Sequence, residues 1–296
     1  MLINRATLLS LYTGYSSAFQ GAFDAAPSTY QRIAMVVPST TAQEEYGWLG
    51  SLPRIREWIG ARVVQNVETY GYTIKNKPWE LTWGVDRDKI EDDNIGLYTP
   101  IFAEIGRATG AFPDELVYGL LKLAFTALCY DGQPLIHTDH PMLNAAGQVV
   151  SRSNSQGGSG TPWFLADTSR FVKPIVFQQR RAFDFVRMDA ATDEVVFDRK
   201  EYRYGVDGRC NVGFGLWQLI YGSRQPLTLA SYQAARETMM GLLGDYDRPL
   251  GIMPNLLVVP PSLDGTARQI LNAEIIGSTT NIQRGTAELL TTPYLA

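Results

Sequence analysis

Residues 226–272, PLTLASYQAARETMMGLLGDYDRPLGIMPNLLVVPPSLDGTARQILN, constrain what this chain can fold into more than any other stretch. Their first part reads as an amphipathic helix closed by a Gly/Pro-rich turn. A short, wholly apolar strand follows (Leu256 to Val259), then a Pro260-Pro261 stop and a second helix with a polar start. At the strand end, an enzyme of this layout would place a nucleophile or a phosphate loop. This chain places two prolines there, which points to a building block rather than a catalyst.

The rest of the chain supports that direction. At 296 residues, with 45% hydrophobic and 19% charged residues, it is long and apolar enough for a substantial core in one large or two modest domains. No apolar run is long enough to span a bilayer. The opening MLINRATLLSLYTGYSSAFQ lacks the apolar segment and cleavage site of a signal peptide, so secretion is not expected. A net charge of −4, with no Lys/Arg run longer than Arg180-Arg181, lacks the cationic footprint of tight nucleic-acid binding. Cys129 and Cys210 sit far apart in apolar surroundings and read as buried thiols, not a disulfide or a metal pair. Six Trp and 15 Tyr are a surplus that a large core and obligate interfaces would absorb.

Along the chain, residues 1–45 read as an ordered extension. A short helix over Leu2–Leu11 is expected, interrupted by Gly14, Gly21, Pro27 and Pro38, with Tyr12, Tyr15, Phe19, Phe23 and Tyr30 holding no clear period. Residues 61–86 read as a long β-hairpin: Tyr70, Tyr72 and Ile74 alternate, Asn76-Lys77-Pro78 turns, and Trp79, Leu81, Trp83 and Val85 alternate again. Thr99-Pro100 starts a helix that Gly110 stops, and Pro113 with Asp114 and Glu115 opens another. Residues 144–161 read as a polar Gly/Ser loop. Strands are expected around Trp163–Leu165, Val172–Gln178, Phe183–Met188 and Glu194–Phe197. Residues 201–223 read as a β segment or a helix spotted with Gly, and the closing GTAELLTTPYLA suits a terminal strand. Separated helices and strands indicate the α+β class.

Chemistry-bearing motifs are sparse. His137-Thr138-Asp139-His140 holds the chain's two histidines around an acid, and a loop can bring such a set onto one cation. Their spacing of three is not that of HExxH, and no further ligand is evident. A metal-dependent hydrolase using His137, Asp139 and His140 is therefore the enzyme alternative. Asp86, Asp88, Glu91, Asp92 and Asp93 miss the calcium-loop spacing and read as an acidic approach to a helix N-terminus. GGSG at 157–160 is neither a P-loop nor a dinucleotide fingerprint and reads as a mobile loop. No GxSxG elbow or CxxC pair is present.

Several longer stretches are similar to one family. YGWLGSLPRIREWIG (46–60), YGYTIKNKPWELTWGVDRDKIEDDNIGLY (70–98), PLIHTDHP (134–141), PWFLADTSRFVKPIVFQQRRAFDFV (162–186), EYRYGVDGRCNVGFGLWQLIYGS (201–223) and RPLGIMPNLLVVPPSLDGTARQIL (248–271) resemble, in this order, the Mu-like prophage major head subunit (gpT) family of transposable tailed phages. The resemblance implies the Hong Kong 97-type phage capsid fold, with an N-terminal arm (1–45), an E-loop region (46–92) whose hairpin is 61–86, a mainly peripheral domain with a spine helix (93–225), and a mainly axial domain with a C-terminal strand (226–296). The strands of 162–223 would build the peripheral sheet; residues 130–170 fit neither domain clearly.

It also implies a structural function, self-assembly into pentamers and hexamers of an icosahedral shell around double-stranded DNA. No catalytic, cofactor-binding or metal-binding residue and no cofactor is implied. Expected partners are further copies of the chain, a scaffolding protein, a portal and a decoration protein, with packaged DNA met by non-specific proximity and no membrane. The expected location is the virion capsid, assembled in the bacterial host cytoplasm. An encapsulin-like cargo shell, which shares this fold, is the remaining alternative.

Overall fold

Asn4 opens the first helix by accepting a hydrogen bond from the Thr7 amide at 2.9 Å, which satisfies one of the helix's free donors. The computed structural model describes residues 4–47, 49, 71–91, 98–190 and 192–296. Helix α1 runs unbroken over Arg5–Ala25, and the chain turns extended at Ala26, before Pro27. The expected interruption at Gly14 and Gly21 does not occur. A Cβ at either glycine would meet nothing within 4 Å, so both lie on an open side of the helix and tax it only through propensity. On the opposite side Leu11, Tyr15 and Phe19 are buried, with Leu8, Tyr12 and Phe23 packed beside them, a helical stripe hidden among the aromatics of this segment.

The partner of α1 is α3, Thr99–Lys122, with Pro100 in its first turn. It is one helix through Gly110 and Pro113, not the two expected. An internal proline costs about 3 kcal/mol, since it removes a helical hydrogen bond. Burial at both ends offsets this: Phe102 and Ile105 lie in one hydrophobic core, Val117, Tyr118 and Leu121 in another. Gly106 and Gly110 let the two helices touch. A Cβ at Gly106 would lie 2.2 Å from the Phe19 carbonyl oxygen, and one at Gly110 2.7 Å from that of Phe23.

Asp114, one residue past the proline, is 4% exposed. Its carboxylate accepts from the Ser28 hydroxyl, the Thr29 amide and hydroxyl, and the Tyr30 amide, all within 2.8–2.9 Å. The segment leaving α1 is thereby tied to α3. Asp114→Ala is expected to cost about 2 kcal/mol, because two backbone donors lose their charged acceptor. A urea midpoint unchanged in that variant would contradict the tie.

The first sheet has strand order β1-β9-β10-β4: β1 is Ala34–Pro38, β9 Ile175–Met188, β10 Glu201–Phe214 and β4 Lys77–Asp86. Strand β1 runs parallel to β9, and the other pairings are antiparallel. The expected hairpin of 61–86 is not formed. Its second half, β4, pairs along its whole length with β10, from Lys77↔Cys210 to Asp86↔Glu201. Its first half is the short β3, Thr73–Lys75, paired antiparallel with β2, Gln43–Glu45. Asn76 between them is buried rather than at an exposed turn. Residues 61–70 of that expectation lie outside the described residues. Of the expected Val172–Gln178, residues 175–178 lie in β9, as does all of Phe183–Met188, while Glu194–Phe197, expected as a strand, lies in a short helix, α4 (Glu194–Arg199). Another short helix, α2 (Arg87–Glu91), follows β4.

The second sheet has order β13-β12-β8-β11-β7, with β7 Ser155–Gly158, β8 Trp163–Ala166, β11 Ile220–Arg224, β12 Leu256–Val259 and β13 Glu288–Thr291. Strand β12 is fully buried between antiparallel β8 and parallel β13. Helix α5 (Leu229–Met240), with a Thr228/Ser231 capping box, packs on β11. Helix α6 (Asp264–Asn272) packs on β12 and β13. The strands of 162–223 therefore do not build one sheet: β9 and β10 belong to the first, β8 and β11 to the second. Nor is 144–161 only a loop. Strands β5 (His140–Leu143) and β6 (Val149–Arg152) form a hairpin, and β7 edges the second sheet. A Cβ on Gly158 would sit 2.4 Å from the Arg224 carbonyl carbon, so glycine is what lets β7 close on β11.

Candidate functional site

The histidine tetrad is a structural node. His140 is fully buried and stacks on Trp217, ring centroids 3.9 Å apart and planes 6° from parallel. Its Nδ1 lies 2.6 Å from Asp131 Oδ2, and its Nε2 3.2 Å from Asn154 Oδ1. Asn154 is oriented by donating its side-chain NH2 to the carbonyls of Leu135, Trp217 and Ile220. Both ring nitrogens thus face protein oxygens, and neither points at an open coordination position. His137 Nδ1 accepts from the Asp139 amide in a local turn, and Asp139 is exposed. The structure does not bring His137, Asp139 and His140 onto one point, and no group of His, Cys, Asp and Glu suited to a metal occurs among the described residues. The described residues thus offer the hydrolase reading no metal site at this tetrad.

The other candidates are likewise local structure. Asp86 Oδ1 accepts from the Asp88 amide at the start of α2, as an acidic helix approach requires. Side chains of Glu91, Asp92 and Asp93 lie outside what is described. Cys129 and Cys210 are buried and unpaired. Burial raises both thiols, that of Cys210 to about 12. At pH 8 its thiolate fraction is then about 10⁻⁴, against roughly a quarter for a free cysteine. A disulfide reagent is expected to leave the native chain unmodified at that pH and to titrate both thiols in guanidinium. Fast labelling of the folded chain would contradict their burial.

What the fold does present is a ribbon, β2–β3, held by a buried polar network. The Tyr46 amide donates to the Tyr72 carbonyl at 2.8 Å, and the Asn76 amide to the Ala42 carbonyl at 3.0 Å, extending the β2–β3 ladder at both ends. The ribbon brings together the two ends of the segment 46–72, of which residues 48 and 50–70 lie outside the described residues. Around its root, Tyr46 OH donates to Gln178 Oε1 at 2.8 Å. Gln178 Nε2 donates to the Ile74 carbonyl and to Asn76 Oδ1. Asn76 Nδ2 donates in turn to Ser39 Oγ and the Thr41 carbonyl. The Ser39 hydroxyl and the Thr40 and Thr41 amides hold the Glu44 carboxyl down at about 2. On the other arm the Phe214 amide donates to Tyr72 OH at 2.8 Å. Burial pushes both tyrosines up to about 12, so each keeps its proton through the neutral range.

Large apolar side chains also stand open on the first sheet. Leu81 and Trp83 of edge strand β4 are 39% and 42% exposed, Val186 and Met188 of β9 are similarly open, and Phe197 of α4 is 83% exposed. The root residues escaped sequence reasoning because Gln178 and Asn76 look like ordinary polar residues. Gln178 follows Ile175-Val176-Phe177 and opens the polar run Gln178-Gln179-Arg180-Arg181, so nothing local marks it as buried.

A family model described as Mu-like prophage major head subunit gpT matches residues 8–295. The major capsid protein of Escherichia phage Mu is 40% identical over 305 residues, covering 100% of both chains. The Mu-like prophage FluMu major head subunit of Haemophilus influenzae is 40% identical over 273 residues, 90% of this chain and 89% of that one. Among solved structures, a chain of the bacteriophage JBD30 procapsid superposes with TM-score 0.88 at 43% identity, covering 99% of this chain and 100% of that chain. One from the JBD30 capsid gives 0.79 at 32% identity, covering 100% of both. The continuity of these matches over both sheets and the paired helices leaves neither the hydrolase nor the cargo-shell alternative any support. The chain belongs to the Mu-like prophage major head subunit gpT family and is a major capsid protein of the Hong Kong 97-type fold.

Proposed function

We propose that this subunit builds the shell as pentamers and hexamers, that the 46–72 loop is the E-loop reaching a neighbouring copy, and that its role is wholly non-enzymatic. The first sheet with α1 and α3 serves as the peripheral domain, and the second sheet with α5 and α6 as the axial domain. The observation that carries this reading is the whole-length likeness to a procapsid chain. Physical features support it. A lattice subunit shares obligate interfaces of about 2,000 Å² or more, and their cores are apolar and aromatic. The open Leu81, Trp83, Val186, Met188 and Phe197 supply such surface. Rings of five and six need heterologous contacts that close. A net charge of −4 keeps the shell from clinging to packaged DNA.

Scaffolding, portal and decoration proteins complete the proposed partners, with assembly in the bacterial cytoplasm and residence in the virion. Expression in bacteria followed by negative-stain imaging of the purified protein tests the reading. Closed hollow particles are expected, and a small soluble oligomer under every condition would overturn it.

A further inference from the structure

The loop root holds more buried polar contact than a two-stranded ribbon needs. A ladder of three residue pairs is marginal in water by itself. Here five side-chain bonds fasten it to β9 and β10: Tyr46 to Gln178, Gln178 to the Ile74 carbonyl and to Asn76, Asn211 to the Lys75 carbonyl, and the Phe214 amide to Tyr72. Gln178 is fully buried, Tyr46 3% exposed and Asn76 4% exposed. Apolar side chains in these places would give comparable stability, because a satisfied buried amide gains little net energy over a well-packed hydrophobe. What such a network gives is direction, since each bond is met in only one arrangement of the chain. The two arms are fixed independently, Tyr46 against β9 and Tyr72 against β10. A Cβ on Gly213 would lie 2.3 Å from Ile74 Cδ1 and 3.1 Å from Tyr72 OH, so the sheet also keeps a gap for this ribbon.

We propose that the Tyr46–Gln178–Asn76 network, with Tyr72 on the Phe214 amide, is a positioning socket that sets the angle at which the two ends of the 46–72 loop leave the sheet. Through that angle it decides whether neighbouring copies close into a shell. This rests on the reading that the loop reaches a neighbouring copy. A socket of this kind has geometric consequences out of proportion to its stability, because every subunit repeats the same angular error around a closed surface.

The test compares Tyr46→Phe, Tyr72→Phe and Gln178→Met with Ile270→Val, a core substitution of similar cost placed on α6. A further variant replaces residues 50–69 by a short Gly/Ser link. Hydrogen exchange is read on unassembled subunits, and closed-shell yield and diameter on assembled ones. The socket variants are expected to keep a cooperative thermal transition like that of Ile270→Val. Their β2–β3 amides should exchange at least about tenfold faster, and their closed-shell yield should fall at least about tenfold below it. If Gln178→Met fails to fold, the two hydroxyl deletions decide. Wild-type yield and diameter in the socket variants overturn the proposal, as does an equal loss of closure in Ile270→Val. If the loop-shortened chain closes normally, the reading of the loop fails, and the socket with it. If it cannot close while the socket variants can, only the socket fails.

Discussion

Alanine at Gly106 will cost the subunit about 3 kcal/mol, whereas alanine at Gly119 of the same helix will stabilise it by about 0.5–1 kcal/mol. The chemistry of the two substitutions is identical, and only their surroundings differ. A Cβ at Gly119 meets nothing within 4 Å. There alanine simply lowers the entropy that the helix must restrict. A Cβ at Gly106 would lie 2.2 Å from the Phe19 carbonyl oxygen and 2.9 Å from its carbon, both backbone atoms of α1 that no rotamer change can move. The helix must therefore lift. Lifting it opens the core in which Tyr15 stacks on Phe102 at 4.2 Å and Phe19 on Phe185 at 5.0 Å. Urea midpoints of the two variants moving in the same direction would show that α1 does not rest on Gly106.

Trp217→Ala will cost more, about 3–5 kcal/mol. The indole is 1% exposed and belongs to the larger hydrophobic core, so its removal leaves a cavity that the neighbouring sheet strands cannot fill. It also uncovers one face of His140, which is held at its edges by Asp131 and Asn154 but has Trp217 as its stacking partner. Trp217→Phe keeps an aromatic face against the imidazole and should lose much less. Denaturant midpoints for the pair, with near-UV circular dichroism to follow the aromatic environment, decide the matter. Equal losses in the two variants would contradict both parts of this account, since phenylalanine fills most of the cavity and keeps the stack.

The elements legible in the sequence were those with local punctuation. Leu256–Val259, Pro260-Pro261 and the helix after them emerge as read, because turn residues and an apolar run specify them without help from distant parts of the chain. Strand β8 and the terminal strand β13 were legible for the same reason. Misreadings fall where a distant contact overrules a local signal. Gly14 and Gly21 look like breakers, yet α1 continues because its other side is glued by aromatics to α3. Gly110 looks like a stop, yet it is the notch that admits Ala26 and Phe23 of the crossing segment. Asn76-Lys77-Pro78 has the composition of a hairpin turn, but β3 pairs with β2 upstream and β4 with β10 far downstream.

The candidate site was harder still. The conspicuous histidines proved to be packing and hydrogen-bonding residues. The root of the loop is built from a glutamine, an asparagine and two tyrosines that no spacing rule links. Family resemblance supplied the function, and only the folded chain supplied the residues around the loop.

The order of strands in the second sheet carries a consequence for synthesis. Its members come from residues 155–158, 163–166, 220–224, 256–259 and 288–291, and β12, the strand packed between β8 and β13, cannot bury its outer edge until the last of these has emerged. The first sheet has no such dependence, since its strands are all complete by residue 214. A growing chain can thus complete its first sheet once residue 214 has emerged and its second only once residue 291 has. A chain stopped before residue 288 would lack β13 and leave the outer edge of β12 unpaired.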